Sequence, residues 1–574
     1  MTDFKQSIIN IAQICAQKQV VNFIISPGSR SAPLTLAFLR HPRLRCRTIV
    51  DERSAAFIAL GLAQQTEHPV GLLCTSGTAG LNYSPAIAEA FYQQIPLLIF
   101  TADRPPEWIG QNDGQTIDQH ELFGNHCRGY FELPVDDSHP DAKWQIERII
   151  SEAINTSMWP VPGPVHINTP LREPLYPHSD FQYQDGSKII SMTPAHTILK
   201  EKVWNELLST WNQSNKKLIV VGMHRPDLPL EELLSAMQQD DVAIVCDVTS
   251  NLRPTQKIQY SDMILGTSCK DTLSDLRPDL LISFGGAVVS KNLKLFLRKY
   301  KPGVHWQLQS HSQCVDTFQT LTRILPVSAE YFFEKLTAYL NSEKVNCRSK
   351  TAHDKKYATI WKELNTRAQY AMQAFLSEIP FCEFSAVATV LHHLPSPGLL
   401  QLGNSSIVRL VNFLGLLERL NIQVNSNRGT NGIDGTLSTA VGAALATTNM
   451  TTLIIGDLAF FYDRNALWHD YLPANLRIIV MNNYGGGIFR ILDGASELPE
   501  LTRHFEVAHS LSAKNTAADH GLNYLFCNSA ESLEKNLPIF FEPQDKPAIL
   551  EVQTDKTINT ETFVKFKSIM RELK

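Results

Sequence analysis

Short apolar runs recur along the chain, each closed by a Gly, Ser, Asp or Asn turn and followed by an amphipathic stretch. Apolar runs of that length suit strands buried on both faces of a parallel sheet, and the stretches between them suit crossover helices. Three blocks repeat the rhythm. In the first, strands are predicted at Val20–Ile25, Arg47–Val50, Val70–Cys74, Leu97–Phe100 and Val165–Asn168, with a helix from about Glu52 to Gln65. The second carries strands near Leu218–Val221, Ala243–Cys246, Leu280–Phe284 and Val304–Gln307, then a helix near Ala329–Leu340. The third has strands near Leu399–Leu402, Leu453–Ile455, Arg477–Met481 and Ala548–Val552. Weakly patterned stretches around Tyr176–Thr193 and Asn341–Lys356 read as linkers. The expected fold class is α/β: three open, mostly parallel, doubly wound domains over 1–178, 195–345 and 360–574. A chain of 574 residues is also too long for one core. The polar stretch from Thr101 to about His120 reads as a long loop, and such loops inside compact domains are usually functional or mobile.

Composition narrows the function. A chain 43% hydrophobic and 19% charged is an ordinary globular one. Its formal charge of −5 offers no global basic field for nucleic acid or an anionic membrane, so any anion recognition must be local. No apolar stretch approaches the roughly 20 residues of a membrane helix. The start, Met1-Thr2-Asp3-Phe4-Lys5, has no basic segment leading into an apolar run. The ten cysteines are scattered without a C-x-x-C pair, which argues against zinc or a disulfide framework. A soluble protein of the reducing cytoplasm is expected.

The most informative segment runs from Gly456-Asp457-Leu458 to Asn482-Asn483-Tyr484-Gly485-Gly486. Asp457 follows one predicted strand and Asn483 follows the next, so both reach the carboxyl edge where a doubly wound sheet places its ligands. A carboxylate, an amide oxygen and a backbone carbonyl suit Mg²⁺, which prefers oxygens and recruits more from substrate phosphates. The glycines let backbone approach a diphosphate closely. The plainer alternative is that Asp457 caps a helix and Asn-Asn makes a turn. Together the features resemble the thiamine-diphosphate motif, Gly-Asp followed one βα unit later by Asn-Asn. The resemblance implies that Asp457, Asn483 and the carbonyl of Gly485 hold Mg²⁺ (or Mn²⁺) on the cofactor. Most of that superfamily has Gly where this chain has Leu458.

Thiamine chemistry also needs an acid against the aminopyrimidine, placed where burial keeps its pKa high enough to share a proton. Glu52, in Val50-Asp51-Glu52-Arg53-Ser54-Ala55, stands at a strand-to-helix turn and fits, with Asp51 the neighbouring candidate. A helix-start Glu favoured by the macrodipole is the structural alternative. In Asn427–Gly435, Ile433 is the apolar residue expected beneath the cofactor. In enzymes of this layout the Glu block and the metal block usually come from different subunits, so the resemblance implies a homo-oligomer, dimer or tetramer, with shared active sites.

Arginines recur on the predicted active-edge loops: Arg30, Arg104, Arg409 and Arg428, with Lys291 from the middle block. Each alone reads as a surface or ion-paired residue. Together they favour a pocket for carboxylates, which an arginine fork binds bidentately. The runs Ile25–Ser31, Thr75–Gly80, Thr101–Pro106, Gly403–Arg409, Ser426–Gly435 and Gly456–Leu458 resemble those of the 2-succinyl-5-enolpyruvyl-6-hydroxy-3-cyclohexene-1-carboxylate (SEPHCHC) synthases of menaquinone biosynthesis. That resemblance spans nearly the whole chain. It implies a transferase that decarboxylates 2-oxoglutarate and adds the succinyl carbanion equivalent to isochorismate. By residue, it implies Ser405, Arg409 and Arg428 for the 2-oxoglutarate-derived group, and Ser29, Arg30, Arg104, Gln115 and Lys291 for isochorismate. Phe489 would wall the pocket, and Thr75 and Ser405 would touch the cofactor. Asn292 and Gly114 depart from a second basic residue and an Asn common in the family.

Other readings stay open at this level. Another thiamine-dependent 2-oxoacid decarboxylase or carboligase would share the cofactor motif but not need the arginines. Ser283-Phe284-Gly285-Gly286 is a weak trace of an FAD site, and a non-catalytic α/β scaffold would leave Glu52 dispensable. His120, His126 and His392-His393 show no metal spacing and read as structural, a proton-transfer role for His120 staying open.

Overall fold

A computed structural model describes residues 5–176, 181–183, 185–237, 241–311, 313–344, 357–417, 420–491 and 494–573. The first block forms one sheet from β1 (Asn22–Ile25), β2 (Arg45–Thr48), β3 (Val70–Cys74), β4 (Leu97–Asp103), β5 (Gly129–Glu132) and β6 (Pro164–Pro170). Its order is β2-β1-β3-β4-β6-β5, and every pair is parallel. The second block holds β7 (Lys217–Val221), β8 (Val242–Cys246), β9 (Leu280–Phe284), β10 (Val304–Leu308) and β11 (Arg323–Leu325) in the order β11-β10-β9-β7-β8. The third holds β12 (Gly398–Leu402), β13 (Ile422–Ser426), β14 (Met450–Gly456), β15 (Leu476–Asn482), β16 (Asn523–Cys527) and β17 (Ala548–Gln553), ordered β13-β12-β14-β15-β17-β16. All strand pairs in these two sheets are parallel as well. The expectation of mostly parallel sheets is thus met in full.

The strands that apolar runs did not announce are β5, β11, β13 and β16, and each closes an edge of its sheet. An edge strand pairs on one side only and need not bury both faces, so its sequence lacks the continuous apolar signature. The same cause displaces β2, another edge. Its half-exposed Arg-Cys-Arg-Thr pairs Asn22 with Arg45, whereas Val50, expected inside the strand, is exposed beyond its end. The expected loop from Thr101 starts later, because β4 continues to Asp103. Of the first expected linker, the described residues strap onto the first block. Tyr183 donates to the carbonyl of Ala37 (2.7 Å), and Lys18 and Asn155 both donate to that of Ile190. Of the second, Asn341–Lys344 continue the helix Ala329–Lys344, and 345–356 lie outside the described residues.

The blocks share cores. One apolar cluster joins strands of the first sheet to Leu453, Ile478 and Ile549 of the third, and another joins the second to the third. The tightest junction is the helix Glu52–Thr66 against the helix Thr436–Leu445. A Cβ added at Gly61 would run into the carbonyl of Thr439, and one at Gly442 into that of Ile58. The two backbones therefore touch, which only glycine at the crossing allows. In the second block, Gly222, Gly285 and Gly286 serve the same end. The Gly286 N–H donates to the Met223 carbonyl (2.7 Å), the Gly222 N–H to that of Phe284 (3.0 Å), and a Cβ at Gly222 would meet Gly286. The glycines that hinted at a flavin close two turns on each other at the point where a dinucleotide would enter. No single helix among the described residues is long and apolar enough to cross a membrane.

Gly61→Ala should force the two helices apart and lower the melting temperature, at a cost of roughly 3 kcal/mol or more for overpacking a close crossing. Calorimetry against an exposed control such as Gly186→Ala, where an added Cβ meets nothing, checks this.

Candidate active site

In the third block, β14 ends at Gly456 and Asp457 opens the helix that follows. Its carboxylate is buried and accepts the N–H of Leu458 (2.6 Å) and of Gly485 (2.9 Å). His509 Nε2 lies 3.4 Å away. Burial pushes the Asp457 carboxyl up, and these N–H groups and His509 oppose that rise. Asn483 follows β15, and its buried Oδ1 has no hydrogen-bond partner among the described residues. Next to it Tyr484 takes a left-handed φ of 64°, and Gly485 a φ of 157°, which turns the chain back across Asp457. A carboxylate, an orphaned amide oxygen and a nearby carbonyl have the hard-oxygen chemistry of a Mg²⁺ site. Among the described residues no three His, Cys, Asp or Glu side chains cluster as a metal site, as this one-carboxylate set requires.

A cleft adjoins this edge, lined among others by Glu383, Ser406, Arg409, Asn483, Ile488 and Lys556. Ser405, just before the lining residue Ser406, sits on a strained turn, φ 71° and ψ −120°, sparsely populated for a residue with a side chain. Arg409, one turn on, donates to the Ser405 carbonyl. Arg428 is buried, with Nη1 donating to Asn404 Oδ1 (3.3 Å) and Nε left without a partner. Burial lowers the pKa of both guanidiniums, and Arg409 lowers that of Arg428 further. Neither arginine forms an ion pair among the described residues. A half-buried and a buried cation that repel each other, eased by Asp262 for Arg409 and by Asp247 and Glu89 for Arg428 but ion-paired with none of them, favour an incoming anion. Phe489 stacks obliquely on Phe505 (5.8 Å) in the turn after Gly487, and Ile433 packs half-buried at the shared core.

In the first block, Asp51 caps the helix Glu52–Thr66. It accepts the Ser54 N–H (3.0 Å), and its second oxygen accepts from Asn465 (2.7 Å). Both its oxygens are engaged, which leaves Glu52 as the available acid of the pair. Glu52 is half-buried, and burial raises its pKa, with Asp51 adding to the rise. Thr75 is buried with Oγ1 unpartnered, packed against Gly28. Arg30 and Arg104 stand together: Arg30 donates to the Leu171 carbonyl (3.0 Å) and to Glu173 (3.3 Å), and Arg104 lies 3.8 Å from the same Glu173. Burial lowers the Arg30 pKa, and Arg104 lowers it further. Ser29 and Gln115 are exposed, Gln115 at a φ of 53° beside Gly77. Lys291 is exposed at the start of the helix Lys291–Lys299. His120 is exposed with its ring edge-on to Tyr130.

Sequence reasoning missed the residues that hold these loops. Asn404 donates to the carbonyls of Asn427 (2.7 Å) and Gly432 (2.6 Å). Glu89 accepts the N–H groups of Gly429 and Thr430 (both 2.7 Å), so the first block grips the turn that carries Arg428. Gln119 accepts the Gly77 N–H (3.0 Å) and donates to Asn168, tying the Thr75 turn to β4 and β6. Glu383 lines the cleft, and burial pushes its carboxyl up to about 7. All four are polar residues that no periodicity marks.

This architecture, with an anion-ready cleft at the carboxyl edge of one sheet and an elevated glutamate at the edge of another, is that of a thiamine-diphosphate enzyme. A model of the thiamine pyrophosphate enzyme N-terminal TPP binding domain matches residues 10–122, and one described as the middle domain of thiamine pyrophosphate matches 182–400. The chain is 43% identical to a 2-succinyl-5-enolpyruvyl-6-hydroxy-3-cyclohexene-1-carboxylate synthase of Cytophaga hutchinsonii, over 99% of both chains. It is 39% identical to the enzyme of that name from Flavobacterium johnsoniae, over 95% of each, and 38% identical to that of Desulfotalea psychrophila, over 96% of this chain and 99% of the other. The chain belongs to the SEPHCHC synthase family.

Glu89→Gln should remove one charged acceptor from the Gly429–Thr430 turn at a cost of roughly 1.5–3 kcal/mol. The expected result is faster amide exchange at Gly429 and Thr430, with exchange in β3 and β4 unchanged.

Proposed function

We propose that the chain decarboxylates 2-oxoglutarate and joins the remaining four-carbon unit to isochorismate, forming SEPHCHC in menaquinone biosynthesis. The observation that carries this reading is Arg409, half-buried in the lining of the cleft beside Asn483, and the buried Arg428 that feels its charge, neither of which forms an ion pair among the described residues. Both substrates are dicarboxylates. A small apolar 2-oxoacid would leave the two guanidiniums uncompensated in a desolvated site.

Bound thiamine diphosphate would supply the nucleophilic carbon and the electron sink for decarboxylation. The residues of the chain then have distinct tasks. Asp457, Asn483 and the Gly485 carbonyl would hold Mg²⁺ (or Mn²⁺) on the diphosphate; the orphaned Asn483 Oδ1 supports this. Glu52, its pKa raised by burial, would share a proton with the aminopyrimidine. Thr75, Ser405 and Ile433 would contact the cofactor. Ser405, Arg409 and Arg428 would hold the carboxylate of the 2-oxoglutarate-derived group. Ser29, Arg30, Arg104, Gln115 and Lys291 would receive isochorismate, with Phe489 as a wall. Water kept out of the cleft would suppress the early protonation that releases succinic semialdehyde.

A homo-oligomer completes the site in this reading. Within one chain, the titrating neighbours of Glu52 are Asp51, Cys74 and Tyr83, whereas those of Asp457 are His509 and Glu383. The resemblance to thiamine-diphosphate enzymes that share their sites between subunits supports a second copy bringing its Glu52 to the metal end. The divisions 1–178, 195–345 and 360–574 serve as the domains of each copy. Gly114 is exposed with nothing near an added Cβ, so its departure from the family's Asn follows from no steric demand.

The test is CO₂ release from 2-oxoglutarate with thiamine diphosphate and Mg²⁺, with and without isochorismate, followed by product analysis. Coupled ring product is expected; product indifferent to isochorismate would reject the reading. Glu52→Gln should bind the cofactor nearly as tightly by calorimetry yet lose at least about 100-fold in kcat. Arg428→Ala should raise KM for 2-oxoglutarate roughly 30-fold, the cost of unpairing a buried charge.

A further inference from the structure

Asp262 lies buried on the short helix Ser261–Leu265 of the second block, and pieces of two other helices converge on it. Ser290 Oγ donates to its Oδ1 (2.6 Å), and Asn412 Nδ2 donates to its Oδ2 (2.8 Å). Asn292 Nδ2 donates to its backbone carbonyl (2.9 Å). Each donor is itself fixed. Ser290 caps the helix Lys291–Lys299 by accepting the Leu293 N–H (3.0 Å). Asn412 stands one turn after Arg409 on the helix Ser406–Leu414, and its Oδ1 accepts the Val248 N–H (3.0 Å). Beside them Asp247, also buried, accepts the Val289 N–H.

The carboxylate thus joins the start of the helix bearing Lys291 to the helix bearing Arg409. Lys294, one turn past Lys291, is half-buried and feels the charges of Arg428, Asp247 and Arg409, so this helix faces the arginine couple. Asn292, where the family often has a base, is turned onto Asp262 instead. We infer that Asp262 is a positioning residue that sets Lys291 and Lys294 against Arg409 and Arg428, and thereby aligns the acceptor substrate with the decarboxylated donor. The inference rests on the function proposed above. A carboxylate is what the junction needs, because it accepts from both sides at once. An amide there serves only one side: with its NH₂ toward Asn412 two donors meet, and with its oxygen toward Asn412 its NH₂ meets Ser290 Oγ, whose own proton then loses its acceptor.

The test uses the full chain with thiamine diphosphate and Mg²⁺. Asp262→Asn should raise KM for isochorismate about tenfold, the usual penalty for a mismatched buried donor. The share of decarboxylated 2-oxoglutarate leaving as succinic semialdehyde should rise, and CO₂ release without isochorismate should fall clearly less than coupling, since Asp262 reaches the donor subsite only through its charge on Arg409 and the helix that carries it. The double variant Asp262→Asn/Asn412→Asp exchanges donor and acceptor, keeps every bond, and should bring KM for isochorismate back to within about threefold. If Asp262→Asn alone does not fold, Ser290→Ala, which takes one donor from the carboxylate, carries the same expectations. The inference is overturned if the variant leaves the isochorismate KM unchanged, if it depresses isochorismate-free CO₂ release as much as coupling, or if the double variant is no better than the single. A wild-type enzyme that forms no coupled product would instead reject the proposed function itself.

Discussion

The site depends on one close contact, the backbone-to-backbone crossing of the helices Glu52–Thr66 and Thr436–Leu445 at Gly61 and Gly442. Each helix begins at a functional loop: the first with Asp51-Glu52, the second just after Asn427–Gly435. A crossing without side chains between the backbones leaves little freedom to slide, so fixing it fixes both loops. The polar bonds around it point the same way. Arg53 lies over the Tyr462 ring and donates to the Tyr462 carbonyl, Asn465 holds Asp51, and Glu89 grips the Gly429 turn. These bonds orient the contact, while the buried apolar cluster shared by the two sheets supplies most of its stability.

Against that rigid frame the electrostatics are locally uneven. A chain of net charge −5 carries Arg409 and the buried Arg428 together with no direct ion pair among its described residues, and a second pair, Arg30 and Arg104, that shares Glu173, with Asp113 also on Arg104. Holding cations out of water is unfavourable unless something neutralises them. The fold tolerates the Arg409–Arg428 couple through bonds to a carbonyl and an amide oxygen, which orient the guanidiniums without cancelling their charge. The site is thereby preorganised for carboxylates, because the reorganisation is done during folding rather than on binding.

The second block contributes differently. Its sheet has the order of a nucleotide-binding domain, yet its switch-point loops are pressed together at Gly222 and Gly286. Its contact with the third block runs through buried polar groups, Asp247, Asp262, Ser290 and Asn412, each satisfied. Such a network specifies one docking geometry where a purely apolar interface would permit several.

The sequence by itself determined the three parallel α/β units, the central strands, Asp457 and Asn483 at adjacent strand ends, and the recurrence of arginines on one edge. Those features are periodic or local: a strand buried on both faces must be apolar throughout, and two consecutive parallel strands must end together. Only the tertiary structure decided the rest. The edge strands β5, β11 and β13 carry a weak or broken apolar signature because one flank faces outward, and the short apolar run of β16 became a strand only through its pairing with β17. That Asp51 is engaged at its second oxygen depends on Asn465, more than 400 positions away. Asn404, Glu89, Gln119 and Asp262 gain their meaning from partners that lie far off in the chain, and a buried polar residue shows its purpose only through the group it satisfies.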